Sequence, residues 1–328
     1  MNKLNYTDFS NQFKDKIINS KSIGICCHVN PDGDALGSML SLYGALIQLN
    51  KNVTCIQSDD IPSYLDFLPG LDRLTPYNED MEFETLMIVD SSSIDRIGDC
   101  ISIFTNCKTS ISIDHHVTND NFADLNFVDE NASSTSEIVY KIINCMDIPY
   151  NADMATNSYV GILTDTNRFL YKNSDSKTLR VAADLIDLEF DKDEIHYRLF
   201  QKNSKASFCL TGEVIKNTEF YYDNRLALCI VYSSMLDSCN ATIEDTEEKI
   251  NLLRDIDGVE VACLVKQIAK DEFKISMRSK RYVNVAEICA EFNGGGHIHA
   301  GGFSYSGTSE MLKRDLMKRF DNIEWNKG

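Results

Sequence analysis

The sequence predicts an α/β protein with an N-terminal domain on a parallel β-sheet and a smaller C-terminal α/β domain with a mixed sheet. In the first half, short apolar runs that end in polar residues alternate with helical patterns, which is typical of a parallel sheet. Residues 175–207 are helical and charged, without a β-like run. Four β-like runs follow this stretch. The chain therefore contains two sheet-forming regions separated by helix.

The first region begins with a helix, because Phe9, Phe13 and Ile17 recur at four-residue spacing. A buried strand at 22–27 and a helix through Leu36 to Ile47 come next. The remaining elements predicted for this region are β-like runs at 53–57, 85–90 and 110–114 and helices at 134–146 and 153–163.

The second region contains β-like runs in EFYY, LALCIVY, EVACLVKQ and FKISMR. Helical patterns at 244–255, 284–292 and 309–320 accompany them. Because domains usually run to about 100–150 residues, a chain of 328 residues predicts two of them. We place a first domain at 1–190, a helical linker at 191–208 and a second domain at 209–328.

Composition and charge narrow the class of protein. The formal net charge of −18 argues against a long duplex as partner, because proteins that hold duplexes do so with basic surfaces. No apolar stretch approaches the roughly 20 residues that span a bilayer. The 11 cysteines are odd in number and scattered, with no CxxC, so we expect reduced thiols, a cytoplasmic location and no membrane partner.

The first chemical signal is the segment His28-Val-Asn-Pro-Asp32-Gly-Asp34. It follows a predicted strand directly, so one imidazole and two carboxylates leave the sheet edge on a tight turn. The alternative is an Asp-rich turn that caps the next helix. The preceding histidine favours a ligand cluster over that alternative.

Three further signals follow β-like or helical runs. Asp90 closes TLMIVD, where open α/β sheets bind ligands, and His115 and His116 follow the run 110–114. Asp165 ends a helical stretch. The alternatives are solvent-facing loop histidines for the pair and an ordinary helix C-terminal loop for Asp165.

Adjacent histidines at a strand end point to different sides, so we count one of the pair as a ligand. Together these places then offer two histidines and four carboxylates, with no thiolate. This donor set suits Mn²⁺ or Mg²⁺ better than structural Zn²⁺. One ion can hardly use all six ligands. A pair of ions about 3.5–4 Å apart can, and such pairs support in-line displacement at phosphorus.

The motifs HVNPDGDALGS, the strand-end Asp90, the DHH triplet, ASSTSEIVY and GILTDTNRF, in this order, resemble those of the DHH phosphoesterases. GGGHIHAGGF near the end resembles the glycine-rich motif of the DHHA1 domain. The resemblance spans nearly the whole chain. Its closest subgroup is the nanoRNase and 3′-phosphoadenosine 5′-phosphate (pAp) phosphatase type.

The resemblance implies two divalent ions, Mn²⁺ first, with Mg²⁺ or Co²⁺ as alternatives. It implies one ion on His28, Asp32 and Asp90, and the other on Asp34, Asp90, His115 and Asp165, with Asp90 as the bridge. His116 is not a ligand in this scheme. It faces the scissile phosphate and either stabilises negative charge or protonates the leaving oxygen.

In the second domain the resemblance implies that Arg278 and His297 grip the substrate's other phosphate or its end. Substrate-binding candidates beside them are Gly294, Gly295 and Gly296, whose backbone N–H groups can approach closely, and His299. Arg96 and Arg168 are further phosphate-binding candidates, although each could form a surface salt bridge, and the glycines could be a flexible loop. Asn167 stands where the family has Gly, and we expect it to keep a left-handed backbone.

The implied substrates are short single-stranded oligoribonucleotides, cut to mononucleotides, and pAp, converted to AMP. A hydrolase of linear di-adenylate (pApA) is the closest alternative. A DHH-type pyrophosphatase, a RecJ-type exonuclease and a non-catalytic nucleotide sensor fit the motifs or the charge less well. The sequence is compatible with a monomer or a homodimer.

Overall fold

The computed structural model describes residues 4–247 and 249–325, apart from the side chain of His297. The chain divides into two compact units, Met1–Lys202 and Asn203–Gly328. The stretch 191–208, expected to connect two domains, spans this division. Each unit contains its own β-sheet.

The first unit is an alternation of helices and strands. Its elements are α1 (Tyr6–Asn19), β1 (Ile23–Cys26), α2 (Gly33–Gln48), β2 (Val53–Gln57), β3 (Leu74–Pro76), β4 (Thr85–Val89), α3 (Ile101–Asn106), β5 (Thr109–Asp114), β6 (Leu125–Val128), α4 (Thr135–Cys145), α5 (Ala152–Asp165), α6 (Ser176–Ile186) and α7 (Lys192–His196). A π-helical turn, Tyr197–Gln201, continues α7. The side chains of Asp32, Ser134 and Asn151 cap α2, α4 and α5 by accepting backbone N–H groups of their first turns.

The six strands of the first unit form one sheet in the order β3-β2-β1-β4-β5-β6. Every neighbouring pair is parallel. The carboxyl ends of all strands therefore meet at one edge. From β1 the chain adds β2 and β3 on one side of the sheet. It then crosses to the other side of β1 and adds β4, β5 and β6, so the direction of strand addition changes between β1 and β4.

Alternation along β4 shows how the sheet is covered on both faces. Met87 and Val89 belong to the main core with α1, α2, α4 and α5, whereas Leu86 and Ile88 belong to a smaller core that includes Ile103 of α3. All five residues of β4 are buried, as expected for a strand of a parallel sheet.

The second unit has a mixed sheet and five helices within the described residues. Its elements are α8 (Lys205–Lys216), β7 (Glu219–Tyr221), β8 (Leu226–Val231), α9 (Ser233–Cys239), α10 (Lys249–Arg254), β9 (Val261–Ala269), β10 (Glu272–Ser279), α11 (Val285–Glu291), β11 (Gly295–His297), β12 (Ala300–Ser306) and α12 (Ser309–Phe320). The strand order is β11-β12-β10-β9-β8-β7. Only β8 and β9 pair in parallel among these.

Both faces of this second sheet are covered as well. Cys263 and Val265 of β9 pack into a core with α11 and α12, and Leu264 packs into another with α8, α9 and α10. Cys209 and Cys239 form a disulfide between α8 and α9, so the expectation of reduced thiols alone is wrong at this pair. None of the helices in the described ranges is long and apolar enough to cross a membrane.

The predicted fold class is confirmed: the first sheet is parallel and the second is mixed. The short strands β3 and β6 and the helices α3 and α9 were not predicted. The largest difference is the glycine-rich segment, to which no strand was assigned and which forms the hairpin of β11 and β12. Glycine disfavours strands by itself, and pairing with β10 supplies what local propensity lacks.

Candidate metal centre

The predicted metal ligands converge at the carboxyl edge of the parallel sheet. His28 lies just beyond β1, Asp90 directly follows β4, and the segment 114–116 ends β5. These three strands are neighbours in the order β1-β4-β5. The switch point between β1 and β4 is where open α/β sheets bind their ligands, so the topology gathers residues that are distant in sequence.

The first group of ligand atoms comes from His28, Asp32 and Asp90, all within 4.8 Å of one another. His28 Nδ1 lies 2.8 Å from the backbone O of Val29. Donation there leaves the lone pair on Nε2, which can then bind a cation. This Nε2 lies 3.5 Å from Asp90 Oδ2 and 4.0 Å from Asp32 Oδ2.

Asp32 combines the two interpretations that the sequence left open. Its Oδ1 caps α2 by accepting two backbone N–H groups at 3.0 Å. Its Oδ2 is the atom that faces His28. A carboxylate has lone pairs enough for both, so helix capping orients this carboxylate without removing it from the cluster.

The second group comes from Asp34, His115 and Asp165, also within 4.8 Å of one another. His115 Nε2 lies 3.3 Å from Asp165 Oδ2 and 3.7 Å from Asp90 Oδ1. Asp90 therefore directs Oδ2 at the first group and Oδ1 at the second. A carboxylate placed in this way can bridge two cations.

The N-terminus of α4 fixes two of these carboxylates. Backbone N–H groups of Thr135 and Ser136 donate to the two oxygens of Asp34, at 2.6 and 2.8 Å. The Thr135 hydroxyl donates to Asp90 Oδ1 at 3.0 Å. Gly161 makes room for the contact of Asp34 with Ser136, because a Cβ there would lie 2.8 Å from Asp34 Oδ1 and closer still to the Ser136 hydroxyl oxygen. Of the segment ASSTSE, these interactions use two backbone N–H groups and the Thr135 hydroxyl.

The electrostatics of the cluster favour a bound cation. Burial raises the pKa of Asp34 well above its ordinary range, and the charge of Asp90 raises it further. Burial likewise raises the pKa of Asp165, with Asp34 as the next cause. Burial also acts to raise the pKa of Asp90, but His28 and His115 outweigh it and lower that pKa. Crowded carboxylates need positive charge, and hard oxygen donors with imidazoles fit divalent cations.

His116 occupies a different setting from His115. Its Nδ1 donates to Asp114 Oδ1 at 2.7 Å. Burial acts to lower the pKa of His116, but the bond to Asp114 and the charge of Asp90 raise it to about 9. Burial lowers the pKa of His115. The ligand atom of His116 also lies within 4.8 Å of those of Asp90 and His115, so it could reach a cation.

Sequence reasoning missed Asp114 as a functional residue. The triplet was treated as two histidines that follow a strand, and Asp114 as the end of that strand. Its side chain is fully buried, at 0% exposure, while accepting from His116. A carboxylate at the end of a buried strand, two residues before a histidine, is the signal that could have indicated this pair.

The two arginine candidates of the first unit differ in their surroundings. Arg96 is near enough for its charge to act on the pKa of His116, and its backbone O accepts from Val29 N at 2.8 Å. Arg168 stacks on the Phe200 ring, 4.8 Å from its centroid.

The expected left-handed backbone of Asn167 is confirmed at φ 46°.

The second-domain candidates lie on the β10, β11 and β12 strands. Register places Arg278, Ala300 and His297 in one row across these three strands. Gly295 and Gly296 pair with β12 within β11, and Gly294 precedes them. The exposed His299 stands at the hairpin tip, its Nδ1 2.9 Å from the Ser279 hydroxyl. The side chain of His297 lies outside the described residues.

Comparison with protein families gives two matches along the chain. The family described as the DHH family, N-terminal domain, matches residues 22–163. The DHHA1 domain matches residues 229–323. The two matched segments fall in the first and second unit, respectively.

Similar proteins cover nearly the same length. A protein of Thermus thermophilus named bifunctional oligoribonuclease and PAP phosphatase NrnA is 33% identical over 287 residues, covering 87% of this chain and 84% of that protein. A Bacillus subtilis protein of the same name is 30% identical over 282 residues, covering 84% and 87%. The crystal structure of an exopolyphosphatase-related protein from Bacteroides fragilis matches with a TM-score of 0.87 at 29% identity, covering 94% and 96% of the two chains.

Proposed function

The chain belongs to the DHH family of phosphoesterases, and we propose that it hydrolyses short oligoribonucleotides to mononucleotides and pAp to AMP. The observation that carries this proposal is the convergence of six ligand-type side chains into two groups that share Asp90. The names of the similar proteins supply the substrate class. The alternative with the same site is a hydrolase of pApA.

We propose that the cluster holds two divalent ions, with Mn²⁺ as the preferred metal. His28, Asp32 and Asp90 would hold one ion, and Asp34, Asp90, His115 and Asp165 the other. When bound, such a pair activates a water and neutralises charge on the phosphoryl oxygens. The chain's own contribution is a set of ligands already oriented by α4 and by the strand ends.

We propose that His116 donates the proton for the leaving oxygen. The bond to Asp114 orients the ring and favours its protonated form. As the P–O bond breaks, its electron pair goes to the leaving oxygen, which takes this proton from Nε2. The attacking water forms the new P–O bond and releases its own proton to solvent, from which His116 is protonated again.

In the second unit, which we propose binds substrate, Arg278 and His297 would contact the phosphate that is not cut. The row that joins these two residues across Ala300 supports the proposal. Gly294, Gly295 and Gly296 would allow a close approach of substrate to backbone, and His299, Arg96 and Arg168 are further candidates. We also propose that the enzyme is cytoplasmic. Its oligomeric state, monomer or homodimer, can be tested by measuring its mass in solution.

The substrate class is tested by incubating the enzyme with Mn²⁺ and a panel of substrates, followed by chromatography of the products. The panel contains pAp, di- and pentaribonucleotides, pApA, pyrophosphate and a long single strand. We expect rapid turnover of pAp and of the short oligoribonucleotides. Preferred turnover of pyrophosphate or of the long strand would contradict the proposal, and binding without turnover would indicate a sensor.

Metal removal is expected to abolish activity, because it takes away the ions that would activate the water and neutralise charge on the phosphoryl oxygens. Treatment with EDTA should remove turnover of pAp, and added Mn²⁺ should restore it. Elemental analysis should find two ions per chain. Tightly held zinc, or full activity in EDTA, would show that the metal assignment is wrong.

Replacing Arg278 or His297 with Ala is expected to reduce turnover of pAp and dinucleotides by about 10²-fold, since binding of the remote phosphate helps to orient the reacting one. Bis-p-nitrophenyl phosphate lacks a second phosphate, so its turnover should be preserved. Arg314→Ala, on the exposed side of α12, is the control for loss of one positive charge. Equal losses on both substrates would indicate a folding or metal defect instead.

A further inference from the structure

We infer that Asn119 is a positioning residue that holds Asp114 in the orientation in which it orients His116. The inference rests on the proposed function, because it concerns the proton that His116 gives to the leaving oxygen. Asn119 lies five residues beyond Asp114, in the loop between β5 and β6. It is neither a metal ligand candidate nor a substrate-binding candidate.

The side-chain amide of Asn119 joins two strand ends. Its Nδ2 donates to Asp114 Oδ2 at 2.7 Å and to the backbone O of Ser91 at 3.1 Å. Ser91 follows Asp90 at the end of β4. Asp114 Oδ1, the other oxygen of the carboxylate, accepts from His116 Nδ1 at 2.7 Å. A continuous series of hydrogen bonds therefore runs from the β4 end to the His116 ring.

The direction of the Asn119 amide is set by its own contacts. Its Oδ1 accepts from Asn121 N at 2.7 Å, which leaves Nδ2 as the atom that faces Asp114. Its backbone N–H donates to the His116 carbonyl at 3.1 Å. The loop thus folds back on the residues whose side chains it orients, and the amide cannot turn without losing several hydrogen bonds.

A neutral amide suits this position chemically. Asp114 is fully buried, so its second oxygen needs a donor, and a buried acceptor without one is costly. A cationic donor would compete with His116 for the carboxylate, whereas an amide satisfies Oδ2 and leaves Oδ1 to His116. Without Asn119 the carboxylate can rotate, and the ring loses the orientation in which Nε2 reaches the leaving oxygen.

We expect Asn119→Ala to lower kcat on pAp and dinucleotides by about 10–100-fold, the usual effect of removing an outer hydrogen-bond partner. The KM and the content of two Mn²⁺ should stay nearly unchanged. Turnover of bis-p-nitrophenyl phosphate should fall far less, because p-nitrophenolate leaves without a proton. Asn119→Asp, almost the same size, should show the same pattern, since it replaces the donor by an acceptor.

The decisive measurement is a double-mutant cycle with His116→Ala on both kinds of substrate. If Asn119 acts through His116, Asn119→Ala should have no further effect once His116 is removed. Asn126→Ala is the matched control, because the Asn126 amide, on β6, donates to Ala123 O at 2.6 Å and to Asn121 O at 3.2 Å in the same loop and donates to neither Asp114 nor His116. Its variant should keep wild-type kcat on the nucleotide substrates.

Two results would overturn the inference. One is a loss in Asn119→Ala that adds fully to that of His116→Ala, and the other is an equal loss on the nucleotide and the aryl ester. The proposed function has a separate failure, in which His116→Ala itself spares nucleotide turnover or the wild-type enzyme does not cut pAp. A failure of the Asn119 prediction alone leaves the proposed function intact.

Discussion

Asp90→Asn is expected to reduce hydrolysis of pAp and of dinucleotides by about 10⁴-fold or more and to release at least one of two bound ions. Asp90 directs one oxygen at each ligand group, so it would set the separation of the two proposed ions. An amide offers only one oxygen to a cation and carries no charge. Loss of the bridge therefore removes the arrangement on which in-line displacement depends.

The Asn variant removes the charge of Asp90 without changing its backbone conformation. Asp90 has a left-handed backbone at φ 56°, which Asn tolerates better than most residues. The measurements are turnover and metal content, with Asp32→Asn as the control for a ligand that belongs to one group only. Comparable losses in the two variants, with both ions still bound to Asp90→Asn, would show that Asp90 does not bridge.

His116→Ala is expected to lower turnover of nucleotide substrates by about 10²–10⁴-fold, the usual range for a positioned acid. Metal content should remain nearly intact, because Asp114 and not the ligand cluster holds the His116 ring. His115→Ala is the matched variant at the adjacent position. It should lose an ion, since His115 Nε2 lies 3.3 Å from Asp165 Oδ2.

The reverse pattern would exchange the two assignments. Loss of an ion in His116→Ala with full metal content in His115→Ala would make His116 the ligand. Distance to Asp90 does not distinguish the two rings, because His115 Nε2 and His116 Nδ1 each lie 3.7 Å from Asp90 Oδ1. The metal content of the two variants therefore shows which ring binds an ion.

The sequence was sufficient for those parts of the site that follow from strand ends. His28, Asp90 and His115 follow β1, β4 and β5, and parallel pairing alone brings such residues to one edge. The hydrogen-bond partners of the ligand residues could not be predicted in this way. The donors to Asp34 lie about 100 positions later, at the start of α4, and only helix packing brings them into contact.

The second unit shows a different limit. The row of Arg278, Ala300 and His297 depends on the register of β10, β12 and β11. The glycine-rich segment has no alternation of apolar and polar residues from which that register could be predicted. The disulfide of Cys209 with Cys239 was missed for a similar reason, because pairing of scattered cysteines is set by the fold and not by their spacing.

The order of strands in the first sheet has a consequence for how the protein assembles. The ligands extend from His28 to Asp165, so the centre forms only when β1, β4, β5, α2 and α5 have all reached their places. Contacts of such wide sequence separation form late in folding. A cation bound there stabilises the completed unit and no shorter intermediate. A chain that ends before Asp165 therefore lacks one of the six candidate ligands and cannot complete the cluster.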